Sequence, residues 1–277
     1  MMRSWLYVPG DRPDRAMKVL ARTGPDAPHA VILDLEDSVA PSAKETARRA
    51  VVELLDSLPD IGRIPIWVRL NAGDTGDLDI ESVATARPDG VYLPKATVAT
   101  VGDVARRLDD AGAPPLPIVA LVESAQGLLD APAMARHPRV RNLALGEVDL
   151  RADLGIPASA AGASLTSLRL QIVVASAAAG IEPPTGPVST DFADLTALAE
   201  STRALRDLGF GARSVIHPDQ IGPVNDAFRP TDDEMSSALL VVEAYDAALA
   251  RGDGAIVAAD GTMIDEAVVR SARRLLR

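Results

Sequence analysis

Two carboxylates stand out for the chemistry that their setting allows. Glu123 lies in LVESAQG and Asp149 in LALGEVDL, each just after an apolar run that reads as a strand. Carboxylates at the same ends of neighbouring strands converge in space, although 26 positions separate these two along the chain. Carboxylate oxygens suit a small hard cation. Mg²⁺ commonly keeps several waters, takes one or two protein carboxylates and fills its shell from an anionic substrate. The pair is therefore a candidate Mg²⁺ site. The plainer alternative is a set of helix caps and solvated strand ends.

Composition bounds the scaffold that must hold such a pair. At 277 residues and 47% hydrophobic, the chain can bury a sizeable core as one α/β barrel or two smaller domains. Aromatic residues supply only 3%, so aliphatic strands covered by helices are expected rather than an aromatic-rich sandwich. With no cysteine, disulfides, thiolate metal sites and cysteine nucleophiles are excluded. A net charge of -11 opposes nonspecific attraction to nucleic acid, and an anionic substrate needs a local site against that field. The opening MMRSWLYVPGDRPDR lacks the pattern of an export signal, and no run approaches a membrane span. A cytoplasmic protein with no membrane partner is the expectation.

Apolar runs predict strands at 4–8, 30–35, 66–70, 90–93, 118–122, 140–145 and 212–216, with another somewhere in 181–188, where three prolines blur the pattern. Helical patterns fall between them, at 11–22, after Ser42, at 78–86, 98–111, 164–179 and 191–208. Ser42 and Glu45 have capping-box spacing, and 151–161 reads as a loop. Strands separated by helices imply parallel βα units. No GxGxxG or GxxxxGK[ST] motif favours an open nucleotide-binding sheet. The expectation is a TIM (β/α)8 barrel over 1–229 with a C-terminal helical extension over 230–277, opened by a second capping box at Thr231 and Glu234. Loops at the strands' C-terminal ends would gather Gly10, Glu36, Asp37, Arg69, Lys95, Glu123, Asp149 and His217 around one mouth. Lys95 is expected to form an ion pair with Asp89 or Glu123, and His217 to act as a local cap or a substrate contact.

The blocks RSWLYVPGDRPDR, VILDLEDSVAPSAKETAR, IWVRLNAG, DGVYLPKA, LVESAQG, GEVDLRADLG, SVIHPDQIGPVNDAFRP and DGTMIDEAV run in order across nearly the whole chain. Together they resemble the citrate lyase beta-subunit-like family within the HpcH/HpaI aldolase superfamily. The resemblance implies a Mg²⁺-dependent homo-oligomeric barrel enzyme, a trimer or hexamer, that cleaves or forms a carbon–carbon bond in a hydroxyacyl thioester. Its small-molecule partners would be acyl-CoA and a 2-oxo or hydroxy acid.

On that resemblance Glu123 and Asp149 match the metal ligands, Arg69 the substrate-binding arginine and Asp265 the C-terminal catalytic aspartate. Asp37 is a candidate to accept a hydrogen bond from metal-bound water or substrate, and Glu36 to orient Arg69. Both also suit simple charge complementarity at a helix start. Gly146 and Glu147 are expected beside the substrate, in a block that departs from the pattern. Many relatives read G-A-E-D-L where this chain reads GEVDL, so the aspartate stays and the neighbouring acid moves by one position. The leading expectation is a lyase acting on malyl-CoA or citramalyl-CoA. A hydroxyacyl-CoA thioesterase, a malate-synthase-like condensing enzyme and a noncatalytic scaffold subunit are the alternatives.

Overall fold

The computed structural model describes residues 2–59, 62–157, 163–258 and 261–276. They divide into two compact units, the first ending at Phe228 and the second beginning at Arg229. In the first, strands and helices alternate: β1 (Ser4–Pro9), α1 (Pro13–Leu20), β2 (Ala30–Asp34), α2 (Lys44–Ser57), β3 (Ile66–Arg69), α3 (Asp74–Ala86), β4 (Gly90–Leu93), α4 (Val98–Asp110), β5 (Ile118–Val122), α5 (Ala125–Met134) and β6 (Val140–Leu145). There follow α6 (Glu147–Asp153), α7 (Ala163–Ala179), β7 (Thr185–Gly186), α8 (Leu195–Leu208), β8 (Ala212–Val215) and α9 (Ile221–Ala227). The strands β1 to β8 close into a parallel barrel, with β1 also pairing β8 through Trp5 and Ser214. This is the TIM-barrel architecture expected from the alternation.

Because side chains alternate across a strand, each strand serves two cores. Leu6, Val8, Val31, Leu33, Val68, Val91 and Val122 face outward into an aliphatic layer shared with the helices. Trp5, Ala30, Ile32, Trp67, Tyr92, Leu121 and Ala144 fill the barrel interior. The scarce aromatics are concentrated there: Trp5 and Trp67 lie 5.2 Å apart between ring centroids, and Tyr92 meets Trp5 edge-on. Gly90 makes the room, since a Cβ at 90 would stand 2.3 Å from the Trp67 ring. The same parity, carried one step past this plug, turns Asp34 and Arg69 inward at the strands' C-terminal ends.

Several local expectations are corrected. Ser42 does not cap α2: Pro41 starts a 3₁₀ turn over Pro41–Ala43, and the helix begins at Lys44 without a side-chain cap. Lys44 fixes this entry instead, its Nζ donating to the carbonyls of Leu35 and Glu36 at 2.7 and 2.6 Å. Residues 147–153 form α6, overlapping the start of the expected 151–161 loop, whose 158–161 portion lies outside the described residues. The helix α8 begins at Leu195 rather than Asp191, because Asp194 caps it by accepting from the Ala197 N–H. Phe192, within the expected 191–208 helix, is left outside it and exposed.

In the second unit Thr231 and Glu234 form the reciprocal capping box that opens α10 (Asp232–Leu249). A short antiparallel pair, β9 (Ile256–Val257) and β10 (Met263–Ile264), leads to α11 (Glu266–Leu275). Tyr245, Ile264 and Val269 make this unit's own small core. Asp265 stands at the N-cap of α11, where Oδ1 accepts from the N–H groups of Ala267 and Val268. Among the described residues no helix is long and apolar enough to cross a membrane.

Candidate active site

At the C-terminal ends of the barrel strands lies a cavity of about 360 Å³ lined by Tyr7, Asp34, Asp37, Arg69, Glu123, Gly146, Glu147 and Asp149, together with Val188, Ser214 and Ile216. One wall carries the buried Asp34–Arg69 pair. Arg69 Nε donates to Asp34 Oδ1 at 2.6 Å and Nη2 to Oδ2 at 2.7 Å, a two-pronged geometry on paired strands. Asp34 also accepts from the N–H groups of Glu36 and Ser38. Burial pushes the Asp34 carboxyl upward, but the Arg69 hydrogen bonds and charge outweigh it and leave the carboxyl below its usual value. The guanidinium lies 4.9 Å from the centre of the Tyr7 ring, whose burial raises the phenol well above its ordinary range and keeps it neutral.

Asp34 was not among the candidates read from the sequence, although it is the strongest partner Arg69 has. The signal was its parity with the interior residues Ala30 and Ile32, which the apolar run VILDL obscured.

Glu36 and Asp37 follow on the β2 exit. Glu36 Oε2 is 2.7 Å from Arg69 Nη1, a close ion pair that is out of line for a hydrogen bond, so this buried oxygen lacks a donor. Asp37 is exposed, with its carboxylate 3.7 Å from the same guanidinium. Burial raises Glu36 to about 7; Arg69 opposes this, while the charges of Asp37 and Asp34 add to it.

Glu123 is held from two sides. Its Oε1 accepts from the Lys95 backbone N–H at 2.6 Å, which Lys95 presents by adopting a left-handed conformation, φ +48°. Behind it stands Gly146, where a Cβ would come 2.5 Å from Glu123 Cβ and 2.8 Å from Oε2. Burial raises Glu123 to about 7, with the charges of Glu36 and Asp149 adding to the rise and the Lys95 bond opposing it. Asp149 reaches the cavity from the first turn of α6. The expected Lys95 ion pair is not formed: its backbone, not its ammonium, meets Glu123, and Asp89 pairs with Arg63.

Glu147 also faces the cavity, but its carboxylate is gripped by Arg169 of α7, with Nε and Nη2 donating at 2.9 and 3.0 Å. The acid displaced in the GEVDL block thus has its own partner. His217 is a local cap, its Nδ1 accepting from the Asp219 N–H. Asp265 belongs to the second unit.

The site carries more carboxylate than cationic charge, and this is the donor set a divalent cation fits. Glu123 and Asp149 bring carboxylate oxygens without a cationic partner to one cavity, and Glu36 and Glu123 are raised chiefly by burial, with neighbouring carboxylates adding to the rise. Among the described residues no group of three or more His, Asp or Glu could cage a metal. A two-carboxylate site leaves coordination positions for water and substrate.

The family model for HpcH/HpaI aldolase/citrate lyase matches residues 3–218. The (3S)-malyl-CoA thioesterase of Cereibacter sphaeroides is 32% identical over 99% of this chain and 93% of its own length. The L-malyl-CoA/beta-methylmalyl-CoA lyase of the same species is 31% identical, with the same coverage. Among solved structures, Mycobacterium tuberculosis CitE in complex with magnesium, acetoacetate and coenzyme A superposes with a TM-score of 0.81 at 32% identity, covering 100% of this chain and 97% of that one. With a family match over most of its length and full-length relatives above 30% identity, the chain belongs to the HpcH/HpaI aldolase/citrate lyase family.

Proposed function

We propose that this protein is a Mg²⁺-dependent lyase that cleaves a carboxylated 3-hydroxyacyl-CoA, of the malyl-CoA or citramalyl-CoA type, into a 2-oxo acid and an acyl-CoA. The observation that carries this reading is the meeting of Glu123, Asp149 and the clamped Arg69 in one cavity. Similarity to a malyl-CoA lyase and to a CitE that binds magnesium and coenzyme A supports it.

In such a cleavage the substrate hydroxyl loses its proton and becomes a carbonyl. The carbon–carbon bond breaks toward the thioester, which takes the electron pair as an enolate and is then protonated at carbon. Glu123 and Asp149 would hold Mg²⁺, which would supply Lewis-acid polarisation of the hydroxy-acid oxygens. Arg69, immobilised by Asp34 and Glu36, offers fixed positive charge for the substrate carboxylate and the reacting oxygen without reorganising during the reaction. Glu36, at about 7, is poised to accept the hydroxyl proton near neutral pH, with exposed Asp37 beside it as a route to solvent. The Gly146 backbone and the Glu147–Arg169 pair bound the wall beside the acyl group. Asp265 is assigned the proton delivered to the enolate carbon, in a homo-oligomer of trimer or hexamer size.

A second reading is favoured by the similarity to a malyl-CoA thioesterase: the same site would activate water against the thioester carbonyl. Product analysis on a panel of 3-hydroxyacyl-CoA substrates decides. A 2-oxo acid with acyl-CoA means a lyase, and a hydroxy acid with free CoA a thioesterase. Net synthesis from the cleavage products would indicate a condensing enzyme. No turnover across the panel would overturn the enzymatic reading.

A further inference from the structure

We propose that a second cavity, between α3 and α4, is a binding site for a zwitterionic aliphatic amino acid, and that its occupancy reaches Glu123 through Lys95. The cavity measures about 350 Å³ and shares no lining residue with the catalytic one. It opens beside the exits of β3 and β4, where the residues facing it are small: Ala72, Gly73, Gly76 and Ala99. Gly76 is required there, since a Cβ at 76 would stand 2.4 Å from the Asn71 carbonyl oxygen.

The walls make an apolar slot with charges at its edge. Leu70, Ile80, Leu93 and Val104 give it a buried aliphatic side. Arg107 occupies two of the lining acids, with Nη1 2.9 Å from Asp77 Oδ1 on α3 and Nε 2.7 Å from Asp103 Oδ2 on its own helix. Two lining charges are left over. Among the described residues the side chains of Asp74, in the first turn of α3, and Lys95, at the β4 exit, form no hydrogen bond or ion pair, with each other or with a third group. A carboxylate and an ammonium apart over one apolar slot fit a ligand with the opposite charges on an aliphatic body. An amino acid gives its ammonium to Asp74, its carboxylate to Lys95 and its side chain to the slot. A simple anion would have to face Asp74 on a chain of net charge -11.

Lys95 ties this cavity to the metal ligand. Its side chain lines the slot while its N–H donates to Glu123 Oε1 at 2.6 Å. It does both in a left-handed conformation, φ +48°, which is strained for a residue with a side chain and persists where the surroundings hold it. A ligand on the ammonium adds to that hold, and so steadies Glu123 and strengthens Mg²⁺ binding. The coupling rests on Glu123 as a Mg²⁺ ligand, and by linkage Mg²⁺ tightens amino-acid binding by the same factor.

The test uses full-length protein and L-valine, with isovalerate and isobutylamine as analogues that each lack one charge. In calorimetry on metal-free protein, valine should bind, and each analogue should bind at least about 10-fold more weakly. Asp74→Asn, Lys95→Gln and Ala99→Leu, which fills the slot without a change of charge, should each weaken valine binding by about 10-fold or more. All three residues are exposed, so the barrel stays folded. Valine should tighten Mg²⁺ binding by about 2- to 10-fold, and Mg²⁺ should tighten valine binding equally. No valine binding up to about 10 mM, isovalerate binding as well as valine, indifference to Asp74→Asn, or valine binding with no change in Mg²⁺ affinity would each overturn the proposal. Because valine is titrated without metal, a failure at Glu123, seen as unchanged Mg²⁺ affinity in Glu123→Ala, is read separately from a failure of the cavity.

Discussion

Gly146 stands so close behind Glu123 that a Cβ at 146 would lie 2.5 Å from the Glu123 Cβ and 2.8 Å from Oε2. The strand register brings this about, since β5 and β6 pair Leu121 with Ala144 and Val122 with Leu145, so Glu123 and Gly146 leave the barrel side by side. Glu123 is pinned in front by the Lys95 N–H, and the contact with its Cβ does not depend on the side-chain rotamer, so a methyl group at 146 must shift the backbone that carries Glu123. Gly146→Ala is therefore expected to weaken Mg²⁺ binding by about 10-fold or more while the barrel stays folded, as in Glu123→Ala and Asp149→Ala. Titration calorimetry with Mg²⁺ alone checks this, with circular dichroism to verify the fold. Wild-type affinity in Gly146→Ala would show that the carboxylate does not depend on this wall.

The Asp34–Arg69 pair carries a prediction about substrate charge. Arg69→Lys keeps the positive charge but loses the two-pronged bond and the contact with Tyr7, so kcat/KM should fall about 10²- to 10³-fold. Asp34→Asn leaves Arg69 in place but loosens it, and should cost less. In the wild type, kcat/KM for a carboxylated 3-hydroxyacyl-CoA should exceed that for its decarboxylated analogue, and in Arg69→Lys the gap should narrow. An unchanged gap would remove Arg69 from carboxylate recognition. Malyl and citramalyl groups differ by one methyl, worth about 1–3 kcal/mol in a pocket, so both should be turned over.

Much of this site was legible in the sequence because its residue types are unusual where they occur. Glu123 directly follows an apolar strand, Asp149 comes four residues after another, and Arg69 closes a third. Asp34 escaped because it lies inside an apolar run in which only strand parity separates inward from outward. Ser42 misled, since capping-box spacing takes no account of a proline that begins a tighter turn. The strand β7 was blurred because prolines at 183, 184 and 187 leave it two residues long; its flanks are held through carbonyls, Pro184 accepting from Gly211 and Pro187 from Arg213. Phe192 and His217 stack across loops that sequence spacing does not bring together.

Burial of Glu36 and Glu123, reinforced by neighbouring carboxylates, predicts a pH signature in metal-free protein. Glu36 and Glu123 titrate at about 7 when folded, against 4.5 for the ordinary side chain. Between those values the folded state keeps protons that the unfolded chain has released, so these groups make stability fall as pH rises through that window. His29, lowered chiefly by burial, acts in the opposite sense, which makes the comparison with a variant the useful one. The wild type should lose more Tm than Glu123→Gln between about pH 5 and pH 8, and saturating Mg²⁺ should recover most of the difference. Parallel Tm profiles for the two proteins would mean that Glu123 is not held at a raised value.

Asp265 calls for a test that separates structure from chemistry, because its Oδ1 caps α11 through Ala267 and Val268. Asp265→Ala would remove that cap, at about 0.5–2 kcal/mol, so lost activity in this variant has two explanations. Asp265→Asn keeps a competent cap and removes the acid. If the carboxyl delivers a proton, Asp265→Asn should lose about 10²-fold or more in kcat with little change in KM, and its Tm should stay near wild type. Wild-type turnover in Asp265→Asn would assign the residue to the helix alone. Whether it serves its own barrel or another subunit's is read by mixing Asp265→Asn with Glu123→Gln, each inactive by itself. In a mixed oligomer, a subunit with intact Glu123 can meet a second unit with intact Asp265 only across an interface. Recovered activity after verified subunit exchange would place Asp265 in trans; no recovery after the same exchange would place it in cis.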